Sequence, residues 1–434
     1  MRHSVPSPTV PERVVLAAVG LPATGDAGIA WSDASLLSEL RALAESAGAE
    51  VVGSVFQRRE SPDKTFFFGR GKAEELRDEV AATSAELVVF DNDLSPAQGK
   101  NLEDLLGVRV LDRSELILDI FAERARSREA KLQVELAQLQ YLLPRLKRMW
   151  THLSRIRGGI GLRGPGETQL EVDRRSIRGR IGTLKTKLGE IEVRRHLQRT
   201  GRKDDWNVAL VGYTNVGKST IMNRLAGTAL QVENRLFATL DATTRRVELP
   251  DGEGVLLTDT VGFIRHLPHH LVASIRATLE EVVHADLLLH VVDVSDPQHS
   301  AQMAVVREVL ESLGVGATPV LHVFNKLDRI EPAERAGLRA RLLAEYGDAV
   351  VASAIEARGL IALTEALTAF VRAGSVRVRV TLPLESSRAL ARLHALGQVV
   401  SSRYTDDAIE VEWQGRSAVV ARLQQEGVDV ESSA

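Results

Sequence analysis

The residues best suited to chemistry lie between Gly212 and Ser219, in the stretch GYTNVGKS. Its two glycines allow the backbone to turn so that successive amide N–H groups point inward around an anion. Lys218 adds a flexible positive charge, and the hydroxyl of Ser219 can join the oxygen shell of Mg²⁺. A strand-like run precedes the stretch and a helical pattern follows it, which is the context that this phosphate-binding loop requires. The segment therefore predicts a nucleoside triphosphate site with Mg²⁺ as cofactor.

Three further motifs follow in order, each at the end of a hydrophobic run. Asp259-Thr-Val-Gly262 supplies a carboxylate that can hold magnesium through water and a Gly262 amide that can sense a γ-phosphate. Asn325-Lys-Leu-Asp328 ends in a carboxylate that can accept two hydrogen bonds from guanine, whereas adenine would present a lone pair to it. Ser353-Ala354 would close the base pocket, with the Ala354 amide near guanine O6. Because α/β sheets bind ligands at the carboxyl ends of their strands, this order predicts a GTP pocket.

The predicted nucleotide-binding set consists of the members of these four motifs, together with the adjacent Thr220 and Ile355. Lys218 and Gly262 are also predicted to be catalytic, and Ser219 is predicted to be a metal ligand. The set is Gly212, Tyr213, Thr214, Asn215, Val216, Gly217, Lys218, Ser219, Thr220, Asp259, Thr260, Val261, Gly262, Asn325, Lys326, Leu327, Asp328, Ser353, Ala354 and Ile355.

Alternating strand-like and helical segments must position these residues. Residues 204–373 predict a P-loop G domain whose strands are nearly continuous hydrophobic runs, as expected when both faces of a sheet are covered. Residues 13–121 alternate in the same way and predict an N-terminal α/β domain with a mainly parallel sheet. Residues 374–434 predict a small α+β C-terminal domain, and residues 1–12 predict a disordered tail. The predicted fold class is thus multidomain α/β.

One glycine-containing turn in the N-terminal domain allows two interpretations. Gly69, Gly71 and Lys72 lie at the entry to a predicted helix, where a glycine turn can hold an anion. A tight strand-to-helix turn explains the same glycines equally well, because the motif lacks the full phosphate-loop spacing.

A basic segment, residues 122–203, separates the two α/β domains. It holds 21 Lys and Arg against 8 Asp and Glu, a net charge of +13 in a chain whose overall charge is −3. Apolar residues recur at alternating spacings of four and three from Leu132 to Leu153, and those from Leu170 to Ile191 keep the same register with one gap. The glycine-rich stretch between them cannot continue a helix. The segment predicts an antiparallel helical hairpin with a glycine-rich tip, and its charge favours a nucleic-acid contact over a merely solvated helix pair.

Composition excludes several classes of protein. The 434 residues include no cysteine, so disulfides and thiolate metal sites are excluded. No run approaches the roughly 18 apolar residues that a membrane span requires, and neither terminus carries a lipidation signal. We expect a cytoplasmic protein without stable membrane insertion. The heptad seam can pair within one chain or between chains, and the expectation is a monomer.

The motifs together resemble the HflX-type GTPases of the Obg–HflX group. RGGIGLRGPGETQLEVDRR over residues 157–175 is similar to the signature of that family, and FATLD over residues 237–241 is similar to its first switch. The resemblance extends over nearly the whole chain, including FGRGK in the N-terminal domain. It implies a GTP-hydrolysing enzyme that binds the large (50S) ribosomal subunit and splits or rescues stalled or stress-arrested 70S ribosomes. It also implies an ATP-related activity of the N-terminal half.

The first switch adds residues to the predicted site. The resemblance implies that Thr239 ligates Mg²⁺ in the GTP state and acts in catalysis. On sequence grounds alone, Thr243 and Thr244 are rival candidates for that role. The switch residues predicted to bind nucleotide are Phe237, Ala238, Thr239, Leu240 and Asp241.

The hairpin then has a predicted partner in ribosomal RNA. Arg155, Arg157 and Arg163 lie near the glycine loop and are the predicted RNA contacts, because a slim loop can enter an RNA cavity that a globular domain cannot reach. A GTP-regulated RNA-binding or RNA-unwinding protein would share the hairpin and the phosphate loop. A membrane- or cytoskeleton-associated GTPase scaffold would instead predict a lipid anchor or an amphipathic basic-apolar helix, and neither terminus shows a lipidation signal.

Phe263 bears on the rate of hydrolysis. It follows Gly262 directly, where Ras-like enzymes carry the glutamine that orients the attacking water. Because phenylalanine has no hydrogen-bonding group, the sequence predicts a slow basal GTPase that ribosomes stimulate. Simple hydrophobic packing of the ring is the alternative interpretation.

Overall fold

The computed structural model describes residues 11–22, 31–154, 165–200, 205–227, 236–265, 279–356, 358–384, 387–425 and 428–432. Within these ranges the protein is a multidomain α/β structure with three separate sheets, which confirms the predicted fold class. None of the helices in these ranges combines the length and the apolar character that crossing a bilayer requires.

The N-terminal domain is a four-stranded parallel sheet with helices. Its elements are β1 (Arg13–Gly20), α1 (Asp33–Ser46), β2 (Glu50–Arg58), α2 (Arg70–Thr83), β3 (Leu87–Phe90), α3 (Pro96–Leu106), β4 (Arg109–Asp112) and α4 (Arg113–Arg124). The strand order is β2-β1-β3-β4, and seven of the eight residues of β1 are buried. A buried central strand of this kind reads as one hydrophobic run because both of its faces are covered. Helix α4 was not predicted from the sequence, and it extends beyond residue 121, the expected end of this domain.

The turn before α2 is held by side chains of the domain itself. The Gly69 N–H donates to the side-chain oxygen of Gln57 at 2.9 Å, and the Lys72 ammonium pairs with Glu75 at 2.8 Å. Because the lysine charge is directed to its own helix, these contacts favour the tight-turn interpretation over the anion site.

Two long helices form the basic hairpin. They are α5 (Arg128–Ser154) and α6 (Pro165–Thr200). Arg180 pairs with Glu135 at 2.6 Å, whereas Arg195 pairs with Glu129 at 2.9 Å. Moving from Arg180 to Arg195 along α6 leads backward along α5, from Glu135 to Glu129. The two helices therefore run antiparallel, as predicted.

A second face of α5, which the heptad pattern does not reveal, packs on the N-terminal domain. Arg145 donates to Asp112 and to the Leu94 carbonyl, both at 2.9 Å, and so ties α5 to the N-terminal domain. The residues buried on this face recur at spacings of four, three and four, and they are Ala130, Val134, Ala137 and Tyr141. The first half of α5 is therefore docked on the N-terminal domain instead of projecting freely.

The G domain is a six-stranded sheet flanked by helices. Its elements are β5 (Trp206–Gly212), α7 (Lys218–Leu225), β6 (Thr243–Glu248), β7 (Gly254–Asp259), β8 (Leu287–Asp293), α8 (His299–Ser312), β9 (Val320–Asn325), a 3₁₀ turn (Leu327–Arg329), α9 (Pro332–Glu345), β10 (Ala349–Val351) and α10 (Ile361–Gly374). The order is β10-β9-β8-β5-β7-β6, and only β6 is antiparallel to its neighbour. The carboxyl ends of the five parallel strands therefore meet at one edge, which carries all four predicted motifs. Strand β6 was not predicted because its residues, TTRRVE, lack a hydrophobic run.

The C-terminal domain is an antiparallel sheet with two helices, which confirms the predicted α+β class. Its elements are β11 (Ser375–Pro383), α11 (Ser387–Leu396), β12 (Gln398–Tyr404), β13 (Ala408–Arg416), α12 (Ser417–Gln425) and β14 (Asp429–Ser432). The strand order is β12-β13-β11-β14. Trp413 is fully buried, and its indole N–H donates to the Leu393 carbonyl at 3.0 Å, which holds α11 on the sheet.

Candidate nucleotide-binding site

The phosphate loop joins the end of β5 to the start of α7. Gly212 has φ +150°, and a Cβ there would overlap the Val291 carbonyl oxygen. Gly217 has φ +98°, and a Cβ there would overlap the Asn325 side chain. Glycine is required at both positions because the backbone is left-handed or in very close contact with its neighbours. The loop therefore has the conformation that turns backbone amides toward an anion.

Lys218 supplies the positive charge of this loop. It is buried, and its ammonium donates to the backbone carbonyls of Gly212 at 3.1 Å and Tyr213 at 2.8 Å. Burial lowers the pKa of Lys218 to about 8, and the nearby charge of Asp259 only partly opposes this shift. A buried ammonium bound to neutral carbonyls is a charge that an anionic phosphate can stabilise.

Three oxygen-bearing side chains converge beside the loop. The Ser219 hydroxyl lies 2.8 Å from that of Thr239 and 2.5 Å from Asp259 Oδ2, and Thr239 lies 3.0 Å from the same carboxylate oxygen. The other carboxylate oxygen, Asp259 Oδ1, is buried without a hydrogen-bond partner in the described part of the chain. Burial raises the pKa of Asp259 against the opposing effects of Lys218 and the two hydroxyls. Hard oxygen ligands with one unsatisfied buried oxygen fit Mg²⁺.

Of the three candidate threonines in the first switch, only Thr239 reaches this cluster. The Thr243 hydroxyl is directed to the Asp241 carbonyl at 3.5 Å. The Thr244 hydroxyl lies 2.9 Å from that of Thr258, across the β6–β7 pair.

The base end of the site is formed by the loops after β9 and β10. Asn325 donates to the Val216 carbonyl at 2.8 Å and thereby ties this end to the phosphate loop. Asp328 accepts a hydrogen bond from the Ser353 hydroxyl at 2.6 Å, which orients its carboxylate. The Ala354 N–H donates to the Asn325 side chain at 3.0 Å, so its expected contact with guanine O6 stays a prediction.

These groups enclose one cavity of about 300 Å³. The structure brings sixteen of the predicted residues to its wall and adds Arg329, which the motif analysis did not select. The lining residues are Thr214, Asn215, Gly217, Lys218, Ser219, Thr220, Phe237, Ala238, Thr239, Thr260, Gly262, Asn325, Lys326, Asp328, Arg329, Ala354 and Ile355.

The other predicted residues lie behind the wall or point elsewhere. Asp259 reaches the site through its bonds to Ser219 and Thr239, and Ser353 through its bond to Asp328. The Gly212 carbonyl accepts a hydrogen bond from the Lys218 ammonium, and Leu240 is buried in the core. The remaining members outside the wall are Tyr213, Val216, Asp241, Val261 and Leu327.

Gly262 and Phe263 close the phosphate side. A Cβ at Gly262 would lie 2.8 Å from Thr214 Cα and 3.0 Å from the Lys218 ammonium, so no larger residue fits. The Phe263 ring is buried in the core, while its backbone accepts from the Thr214 N–H at 2.8 Å and donates to Gly212 at 3.1 Å. The ring has a packing role, and the backbone fastens the phosphate loop to β7.

Comparison with known proteins gives the family. Residues 34–122, 124–202 and 207–326 match families described as GTP-binding GTPase N-terminal, GTP-binding GTPase Middle Region and 50S ribosome-binding GTPase. The GTPase HflX of Caldanaerobacter subterraneus subsp. tengcongensis is 47% identical over 393 residues, which cover 90% of each chain. The chain belongs to the HflX family of GTPases. The GTPase HflX of Escherichia coli K12 is 44% identical, and the match covers 88% of this chain and 90% of that protein.

A solved structure gives a more distant likeness to this HflX GTPase. A GTP-binding protein from Sulfolobus solfataricus in complex with GDP is 24% identical. The match covers 82% of this chain and 98% of that chain, with a TM-score of 0.43.

In this HflX GTPase, two residues beside the pocket are anchored on the N-terminal domain, which sequence reasoning missed. The Tyr213 hydroxyl donates to Glu39 in α1 and accepts from the Arg265 N–H at 2.9 Å. The Arg265 guanidinium pairs with Glu39 at 2.9 Å and with Asp91 at 2.7 Å. Burial and the charge of Glu39 raise the pKa of Tyr213, so its hydroxyl stays protonated. We call Glu39, Asp91, Arg113, Tyr213 and Arg265 the domain joint.

Arg113, the first residue of α4, completes the domain joint. It pairs with Asp91 at 2.6 Å, bonds Glu39, and donates to the Arg265 carbonyl at 3.1 Å. Burial acts to lower the pKa of Arg113, but the charges of Glu39 and Asp91 outweigh it and raise the value. No motif could have revealed this cluster, because its members are scattered over both domains.

The predicted RNA contacts are not placed by the structure. Arg155, Arg157 and Arg163 lie outside the described residues, together with most of the glycine-rich loop.

Proposed function

We propose that this GTPase binds the large ribosomal subunit as a cytoplasmic monomer and uses its GTP cycle to split or rescue stalled or stress-arrested 70S ribosomes. The observation that carries the proposal is an exposed basic stripe on α6, in a hairpin whose other helix, α5, is bonded at its start to Asp241 of the first switch. The match of residues 207–326 to a family described as 50S ribosome-binding GTPase supports it.

In the proposed cycle, each pocket residue has one task. Lys218 binds the β- and γ-phosphates, and the backbone amides from Thr214 to Ser219 neutralise the remaining charge. Ser219 and Thr239 would hold Mg²⁺, which offsets charge on the same phosphates when it is bound. The Gly262 amide contacts the γ-phosphate, and only glycine lets the chain approach Lys218 so closely.

Guanine is selected by Asp328. Its carboxylate is held by Ser353 and accepts from guanine N1–H and N2–H₂. An adenine in the same place would leave that carboxylate facing an acceptor, at a cost of about 1–3 kcal/mol or more.

The basic stripe consists of Arg175, Arg178 and Lys185, all of which are exposed. At 100° per residue, these positions lie within about 80° of the helix circumference, so their charges point the same way. Ribosomal RNA is a dense polyanion that such a row can follow along its phosphates. The three arginines near the glycine loop are proposed as further RNA contacts.

Sedimentation of purified 70S ribosomes tests the outcome. We expect the protein with a non-hydrolysable GTP analogue to comigrate with the large subunit and to reduce the 70S peak, whereas GDP gives neither effect. Binding to free RNA with intact 70S particles in every nucleotide state would support the GTP-regulated RNA-binding alternative instead.

A matched pair of variants tests the stripe. Arg175→Glu with Arg178→Glu should weaken comigration at least tenfold and flatten its salt dependence, because phosphate contacts are lost. Arg339→Glu with Arg341→Glu makes the same charge change at exposed positions of α9 and should leave comigration unchanged. Equal effects of the two pairs would show that only the net charge matters.

A further inference from the structure

The first switch touches the hairpin directly through Asp241. Its carboxylate accepts hydrogen bonds from the backbone N–H groups of Arg126 at 3.1 Å and Ser127 at 3.0 Å. The Ser127 hydroxyl donates to the same carboxylate. All three donors stand at the entry to α5, so a residue predicted to bind nucleotide instead binds the root of the hairpin.

This contact completes the cap of α5. Ser127 is the N-cap: its hydroxyl oxygen accepts from the Ala130 N–H at 3.0 Å, and its carbonyl accepts from the Lys131 N–H at 3.1 Å. The first N–H groups of a helix have no partner within it and carry partial positive charge. Asp241 accepts from the N–H groups of the N-cap residue Ser127 and of Arg126 before it, and adds a negative charge at the favourable end of the helix.

The same segment is fastened at the nucleotide pocket two residues earlier. Thr239 lies against Ser219 and Asp259, and two extended residues span at most about 7 Å. The Phe237 ring packs edge-on against Phe121 of α4 with ring centroids 4.8 Å apart. Thr239 therefore cannot leave the pocket without straining the contact between Asp241 and α5.

We propose that Asp241 is a positioning residue: by capping α5, it holds Thr239 beside the metal-binding oxygens and makes the placement of the hairpin depend on the bound nucleotide. With GTP bound, the switch stays closed and α5 stays capped; after hydrolysis, the switch opens and the hairpin root is released. Because such coupling is reciprocal, a partner that binds the capped hairpin raises the affinity for GTP by the same factor. Only the identity of that partner rests on the proposed function.

Nucleotide affinities give the first test. Asp241→Asn leaves one acceptor oxygen for three donors, so we expect the affinity for a non-hydrolysable GTP analogue to fall about tenfold, the effect of losing an N-cap contact. The affinity for GDP should change less than twofold, since in the proposed cycle the switch that carries Thr239 is open when GDP is bound. Ser127→Ala should also lower the affinity for the GTP analogue more than the affinity for GDP, but by a smaller factor than Asp241→Asn. The loss of analogue binding energy in the double variant should be less than the sum of the two single losses.

The control is Asp251→Asn. Asp251 also accepts a backbone N–H, from Glu253 at 3.3 Å, and pairs with Arg372 at 3.1 Å, but it lies outside the nucleotide pocket. It should change neither affinity. Equal losses for GDP and the analogue in Asp241→Asn would show a merely structural role and overturn the proposal, as would no loss at all.

A distance measurement gives the second test. The chain has no native cysteine, so Lys185→Cys on α6 and Ala336→Cys on α9, both exposed, can carry spin labels without other changes. We expect the label-to-label distance to differ between the GDP and analogue states, and Asp241→Asn to abolish that difference. An unchanged distance, or a change that persists in Asp241→Asn, would overturn the coupling. Neither test uses ribosomes, so failure of the proposed ribosomal partner would leave both results interpretable.

Discussion

Replacing Glu39 by glutamine tests whether the domain joint holds the N-terminal and G domains together. The joint balances two guanidinium groups against two carboxylates. The exposed fractions of its charged side chains are small: Arg113 2%, Asp91 2%, Arg265 4% and Glu39 10%. Glu39→Gln removes one negative charge and leaves one buried positive charge in excess.

Two effects set the size of the loss. The two oxygens of Glu39 accept from Arg113, Arg265 and Tyr213, whereas glutamine offers one acceptor and turns its NH₂ group toward donors. Removing one partner of a buried ion pair costs about 3–5 kcal/mol, because the remaining charge is left unpaired. We expect the free energy of unfolding to fall by that amount, which is a large share of the stability of an ordinary domain.

The assay is urea unfolding followed at Trp31. Its ring lies 6.2 Å from that of Tyr213 and 5.7 Å from the Arg265 guanidinium, so its fluorescence reports on the joint. Subtracting the signal of Trp31→Phe isolates this transition from the other tryptophans. The midpoint should fall with Glu39→Gln while the slope stays constant.

Two further variants make the result specific. Glu45→Gln changes the same residue type on the same helix, but Glu45 is exposed and its ion pair with Arg41 is long, at 3.8 Å. The free energy of unfolding should therefore fall by less than about 0.5 kcal/mol. Combining Glu39→Gln with Arg113→Met restores charge balance and should recover part of the loss. If Glu39→Gln costs no more than Glu45→Gln, the joint does not hold the domains as argued.

Three other predictions concern the pocket. Thr239→Ala should lower the rate of GTP hydrolysis about 10- to 100-fold while GDP affinity stays constant, and Thr244→Ala should change neither; equal effects would contradict the placement of Thr239. Affinity for a GTP analogue should fall about fourfold between pH 7 and 8.5, because Lys218, with a pKa of about 8 in the free protein, is charged below that value and neutral above it; a flat profile by fluorescence titration would refute this. Asp328→Asn should weaken GTP binding about 100-fold and favour xanthosine triphosphate, whose C2 carbonyl accepts from the new amide; calorimetry with both nucleotides decides.

The pocket was largely predictable from the sequence because parallel strands bring distant motifs to one edge. Gly217, Lys218, Asn325 and Asp328 each follow a hydrophobic run, and the strand order places those ends together. The hairpin was predictable because two apolar seams are joined by a glycine-rich stretch that cannot be helical, although the seams alone do not say whether they pair within one chain or between chains. Strand β6 was missed because its residues, TTRRVE, contain no hydrophobic run. Helix α4 does repeat apolar residues at helical spacing, at Leu116 and Ile117 and again at Ile120 and Phe121, but it lies across the expected domain boundary and was not recognised.

Tertiary structure alone decided which groups serve the site and which serve its surroundings. On sequence grounds alone, Thr239, Thr243 and Thr244 were rival candidates for the magnesium ligand. Only the packing of the folded chain places the Thr239 hydroxyl against Ser219. Tyr213 and Asp241 lie within nucleotide-binding motifs, yet their side chains bind the N-terminal domain and the hairpin root. Arg265 meets Glu39 across 226 residues of chain. A contact of this kind leaves no local pattern in the sequence, because only the docking of whole domains brings its partners together.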